Sequence, residues 1–146
     1  MNIESFTKLL QLSISPIALI SGAGLLLLSI TNRLGRSIDR SRHMVVEIDK
    51  KHVLEGPQKH EQLKVLLRRS ELLRNSVFFT GFSIFLSTLM ILGLFLRVFT
   101  GWECETMVLC FLFLSVACLC ISTIFFLLDV SLALKALRVE VAKYLE

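Results

Sequence analysis

A chain of 146 residues that is 54% hydrophobic and only 19% charged, with a mean hydropathy of +0.71, carries more apolar surface than a soluble domain of that size can bury. Its formal net charge of +4 does not mark a nucleic-acid binder, because the central basic residues alternate with Asp39, Glu47, Asp49, Glu55, Glu61 and Glu71. The solvent is lipid, which forces every backbone N–H and C=O into internal pairing; an all-α membrane protein is expected.

Three stretches lack Asp, Glu, Lys and Arg: Leu9 to Asn32, Asn75 to Leu96 and Thr106 to Leu128. A hydrocarbon core about 30 Å thick needs on the order of 20 residues at 1.5 Å rise each, and every stretch supplies them. The chain therefore divides into an N-terminal segment with span one (residues 1–32), a cytoplasmic helical hairpin (33–74), span two (75–97), an external loop (98–105), span three (106–128) and an amphipathic tail (129–146). Glu4 and Lys8 before span one, and Arg33 where a small-residue cleavage site would fall, favour a retained span over a signal peptide. Pro16 is expected in the first turns of that span, where its missing N–H costs least.

Orientation follows from Lys and Arg. Residues 33–74 hold 11 of the 16, and Lys135, Arg138 and Lys143 lie in the tail, against Lys8 and Arg97 elsewhere. Basic loops stay inside, so the N-terminus is expected outside and the hairpin and C-terminus in the cytoplasm. Trp102, in the short external loop, suits the membrane interface.

The hairpin segment has one strong breaker, Gly56-Pro57, which predicts two helices joined by a tight turn. Leu34, Ile38, Ser41, Val45 and Ile48 on the outgoing arm, and Leu63, Leu66, Ser70, Leu73 and Val77 on the returning arm, follow the alternating three- and four-residue spacing of a coiled-coil seam. Folding back about Gly56 pairs Ile48 with Leu63, Val45 with Leu66, Ser41 with Ser70, Ile38 with Leu73 and Leu34 with Val77. Nothing but Gly35 weakens the helix at the junctions, so each arm is expected to continue into its neighbouring span. The Ser41/Ser70 layer is either a close-approach layer, its hydroxyls bonded one turn back, or a polar ligand site.

Outward positions of the arms are not uniformly polar. Val46 and Val53 mark one flank and Val65 and Leu72 the other, and matching stripes on opposite flanks suit a head-to-tail contact between identical copies. The alternative is that lipid headgroups or the C-terminal helix, with Leu132, Leu137, Val141 and Leu145, cover them.

Small and hydroxylic residues are the polar content of the spans: Ala18, Gly22, Gly24 and Ser29; Thr80, Gly81, Ser83, Ser87, Thr88 and Gly93; Ser115, Ser122 and Thr123. They serve either helix packing or, on one face of span one or two, a hydroxyl-lined pore. Cys110, Cys118 and Cys120 lack ligand spacing and are expected to be packing residues, whereas Cys104 faces the oxidising side. His43, His52 and His60 also lack ligand spacing. With no phosphate loop, nucleophile elbow or paired carboxylates, the expectation is a non-enzyme without cofactor or metal.

The run S-P-I-A-L-I-S-G-A-G-L-L-L-L-S-I-T-N-R-L-G-R-S-I-D-R-S-R, from Ser15 to Arg42, resembles a bacterial family of small three-span membrane proteins catalogued as a domain of unknown function. Pro16, Asn32, Arg33, Arg36, Asp39, Arg40 and Arg42 are the recognisable positions. The resemblance implies residence in the bacterial inner membrane and no known activity. Independently, Asn32, Arg36, Asp39 and Arg40 share one helix face beside Arg33, at the expected cytoplasmic headgroup level. That cluster suits a lipid-phosphate anchor or, in an oligomer, an arginine-ringed vestibule.

Three functions compete: a homo-oligomeric scaffold that presents the hairpin to a cytoplasmic protein partner, a homo-oligomeric ion channel, and an insertase-like protein. The last rests on the layout it shares with the Oxa/YidC superfamily. The scaffold needs the fewest additional features.

Overall fold

A computed structural model of the chain describes residues 3–50, 56–100 and 105–145. All of them are helical, in α1 (Ile3–Lys50), α2 (Gly56–Thr100) and α3 (Glu105–Leu145). Each helix is long and apolar enough to cross a membrane, with its apolar stretch within Ile14–Val46, Leu63–Leu96 or Thr106–Lys135. The molecule is a multi-pass membrane protein. Val53, His52, Trp102 and Cys104 lie outside the described residues, as do the side chains of Ile48, His60, Leu137, Val141 and Leu145.

Span one and the outgoing arm form a single helix, as do the returning arm and span two. Because α1 begins at Ile3, Pro16 lies more than three turns inside it and is buried. Its expected place near a helix start is therefore corrected: the helix extends back beyond the charge-free stretch. In membrane helices such a proline is tolerated because neighbouring groups take up the freed carbonyl.

Each helix buries one stripe whose residues are spaced by three, four or seven. On α1 it runs through Pro16, Ala23, Ile30, Ser37 and Ser41; on α2 through Leu66, Leu73, Ser76, Thr80, Ser83, Ser87, Met90 and Leu94; on α3 through Ser115, Cys118, Ser122 and Asp129. The large residues Phe78, Phe82, Phe85, Phe113 and Leu114 face outward instead. That inversion is what lipid permits: apolar side chains meet acyl chains, and small or hydroxylic ones let helices approach.

The chain divides into two compact units. In the first, Met1–Leu28 with Phe78–Ser122, α2 and α3 run antiparallel, since Thr80 meets Ser122, Ser87 meets Ser115, and a Cβ at Gly93 would lie 3.7 Å from Val108. Ser83 donates to the Ser115 carbonyl at 2.8 Å and Ser115 returns a bond to the Ser83 carbonyl at 2.9 Å. Ser87 Oγ lies 2.7 Å from Ser115 Oγ, and Thr80 Oγ1 2.6 Å from Ser122 Oγ. Cross-helix hydroxyl bonds of this kind contribute about 0.6 kcal/mol each on average within a bilayer.

In the second unit, Ser29–Val77 with Thr123–Glu146, the arms meet one turn away from the expected register. Ser70 Oγ lies 3.1 Å from Ser37 Oγ, not opposite Ser41. Ser70 also donates to the Leu66 carbonyl at 3.0 Å, and Ser41 to the Ser37 carbonyl at 2.8 Å. With the Ser70 proton committed backwards, Ser37 is the donor of the pair. Burial follows the shifted register: Ile30, Ser37, Ser41, Leu66 and Leu73 are buried and Leu34, Met44, Leu63, Ser70 and Val77 half-buried. Ile38 and Val45, expected in the seam, are 38% and 51% exposed. The outgoing stripe is thus corrected by one residue, from Ile38 and Val45 to Ser37 and Met44.

Gly56-Pro57 opens α2, as suits a proline, whose fixed φ and absent N–H fit the first helical turn. The uninterrupted α1 then carries its buried positions from Pro16, Ala23 and Ile30 onward by sevens, which lands on Ser37.

Candidate functional site

Asp129 is the polar group that the second unit treats most unusually. It follows Leu128 on α3, seven residues beyond Ser122 on the same stripe, and its side chain has 0% exposure. A carboxylate there is tolerable only if it is paired and hydrogen-bonded. Arg69 from α2 supplies both, its Nε donating to Asp129 Oδ1 at 2.9 Å.

Arg33 from α1 approaches the other oxygen, with its terminal nitrogen 3.5 Å from Oδ2. That contact is an ion pair without a hydrogen bond, and both atoms are buried without a hydrogen-bond partner. The Arg33 guanidinium also lies over the Phe126 ring, 5.1 Å from its centroid, a cation–π distance. Arg33 and Arg69 keep 35% and 24% of their side chains exposed, whereas Asp129 is fully buried. One carboxylate thereby ties together a residue from each of the three helices.

Beside this centre a cavity of about 230 Å³ is lined by Arg33, Arg36, Ser37, Arg40, Leu66 and Arg69. The arginines of α1 recur there at three- and four-residue spacing, which is why the cluster Arg33, Arg36 and Arg40 shares a face. Asn32 is exposed and does not line the cavity. Asp39, predicted on that face, instead lines a separate cavity of about 290 Å³ with Arg42, His43 and Val46.

Arg69 and Asp129 are not among the site residues expected from the sequence. Asp129 looked like the start of an amphipathic tail because it sits at the border of the charge-free stretch. Its signal was the spacing Ser115, Cys118, Ser122, Asp129, which continues the small-residue stripe of span three. Of the predicted oligomer-contact residues, Val46 and Val65 are exposed and Leu72 is half-buried. In the observed register Val46 and Val65 stand one turn apart rather than level. The hydroxyls of spans two and three, Ser83, Ser87 and Ser115 above all, face each other within one copy. Cys118 is buried in the α3 stripe, whereas Cys110 and Cys120 are exposed.

Residues 13–139 match the model of a family described as "Protein of unknown function (DUF2721)". No curated protein and no solved structure matches the chain.

Proposed function

The chain therefore belongs to the DUF2721 family, and from its own surface we propose that it is a homo-oligomeric assembly of the bacterial inner membrane, presenting the α1 and α2 arms on the cytoplasmic side as a docking element for a protein partner. The observation that carries this is the apolar surface the arms leave open among their charges. Val46 is 49% and Val65 39% exposed, with Ile38, Val45 and Leu67 also open. On arms surrounded by water such side chains call for cover, and a second copy covers both flanks when the Val46 flank of one meets the Val65 and Leu72 flank of the next.

Span one supports the same reading. Ala18, Gly22, Ser29 and Asn32 are exposed on α1 at spacings of four, seven and three, and a Cβ at Gly22 would meet nothing within 4 Å. A small-xxx-small face of this kind admits a neighbouring helix closely. The 14-to-2 split of Lys and Arg supports an external N-terminus and a cytoplasmic C-terminus.

An ion channel is the second reading, favoured by the exposed Ser15, Ser21 and Ser29 of α1, which an oligomer could turn toward a central axis. Light scattering of the detergent-purified protein tests the assembly. Wild type should run as a multimer, and Val46→Glu with Val65→Glu should reduce it to a monomer with its spans still inserted. A monomeric wild type overturns both readings, and ion flux from liposomes containing the intact multimer separates channel from scaffold.

A further inference from the structure

We infer that the cavity between the α1 and α2 arms is a binding site for a phosphate group, carried either by an acidic phospholipid headgroup or by a soluble phosphate compound. Four arginines, Arg33, Arg36, Arg40 and Arg69, line an open cleft of about 230 Å³ together with Ser37 and Leu66. The carboxylate at its edge, Asp129, is spent on two of them. Four positive charges against one negative leave the cavity with a surplus of three, and among the described residues no carboxylate pairs with Arg36 or Arg40. Asp39, the nearest acid along α1, lines the other cavity.

The arrangement is organised beyond a basic surface patch. Arg36 and Arg40 stand one turn apart on a helix, where like charges repel, so an anion between them removes a penalty as well as adding contacts. Arg33 is fixed by Asp129 and the Phe126 ring, and Arg69 by its hydrogen bond to Asp129, so two of the four donors are already oriented. A phosphate group, with several charged oxygens, can accept from more than one guanidinium fork at once, which suits a space bordered by four arginines. Arg33 directly follows the charge-free stretch of α1, which puts the cavity within reach of headgroups. This site is independent of the oligomeric reading, since all six lining residues come from one copy.

The full-length protein in nanodiscs tests the site, with the thermal unfolding midpoint as readout. In phosphatidylcholine discs, inorganic phosphate or pyrophosphate is titrated; in a parallel arm, phosphatidylglycerol replaces part of the phosphatidylcholine. A saturable rise with the soluble anions identifies a soluble ligand, whereas a rise with phosphatidylglycerol alone identifies a headgroup; either supports the site. Arg36→Gln with Arg40→Gln, both exposed and outside the Asp129 contacts, should weaken binding about fivefold each, on the order of 25-fold together. Arg68→Gln with Arg74→Gln, exposed arginines of α2 outside the cavity, should leave it unchanged. No rise in either arm, or equal losses from the two double variants, overturns the proposal.

Discussion

Replacing Arg69 by Met tests whether the Asp129 centre holds the three helices together. Methionine keeps most of the aliphatic stem of Arg69 but leaves Asp129 Oδ1 without its 2.9 Å donor, while Oδ2 retains Arg33 at 3.5 Å. A charge-assisted hydrogen bond lost from a fully buried carboxylate costs about 1.5 to 3 kcal/mol. If Arg33 fails to close the gap, the cost approaches the roughly 3 to 5 kcal/mol of an uncompensated buried charge. The expected loss is therefore about 2 to 4 kcal/mol. Adding Asp129→Leu should restore stability to within about 1 kcal/mol of wild type, because an apolar pair of similar volume removes the stranded charge. Arg33 loses the carboxylate 3.5 Å from its buried Nη1 in the double change but keeps the Phe126 ring beneath its guanidinium and a third of its side chain exposed, which holds that loss down. Unfolding in mixed micelles, followed by helical circular dichroism, measures all three variants. A single variant within 0.5 kcal/mol of wild type, on the order of an ordinary surface substitution, or a double variant no more stable than the single, would refute the reasoning.

In a background free of Cys104, Cys110, Cys118 and Cys120, cysteines at Ser37 and Ser70 should cross-link within one chain, since their hydroxyls already approach to 3.1 Å. The pair at Ile38 and Leu73 should give clearly lower yield, and the reverse order would restore the register centred on Gly56. Ser115→Ala should cost only about 1 kcal/mol, as Ser83 keeps the Ser115 carbonyl and Ser87 keeps that of Ser83 at 3.0 Å. Ser115→Leu should cost about 1 to 3 kcal/mol by overpacking the α2–α3 contact, so equal losses in unfolding titrations would argue against close approach there. For topology, an impermeant thiol reagent applied to intact cells should label Trp102→Cys and spare Gln58→Cys; labelling of position 58 would reverse the assigned orientation.

The spans, the all-helical class and the continuity of each arm with its span follow from the sequence alone. Charge-free runs of more than 20 residues have one solution in lipid, and nothing between Ser29 and Arg42 interrupts a helix. The arginine face of α1 was legible for the same local reason, since spacings of three and four decide which side chains are neighbours before any partner arrives. On the outgoing arm, two stripes shared Leu34 and Ser41, one continuing through Ile38 and Val45 and the other through Ser37 and Met44. Hydrophobicity favours the first. The tertiary structure took the second because a stiff helix holds one face along its length, and that face is set at Ala23 and Ile30, where small and apolar residues meet the other helices. The partners of Arg33 were beyond local spacing altogether. Asp129 lies 96 positions from Arg33 and 60 from Arg69, and only the packing of α3 against both arms brings its carboxylate between two guanidinium groups and removes it from solvent.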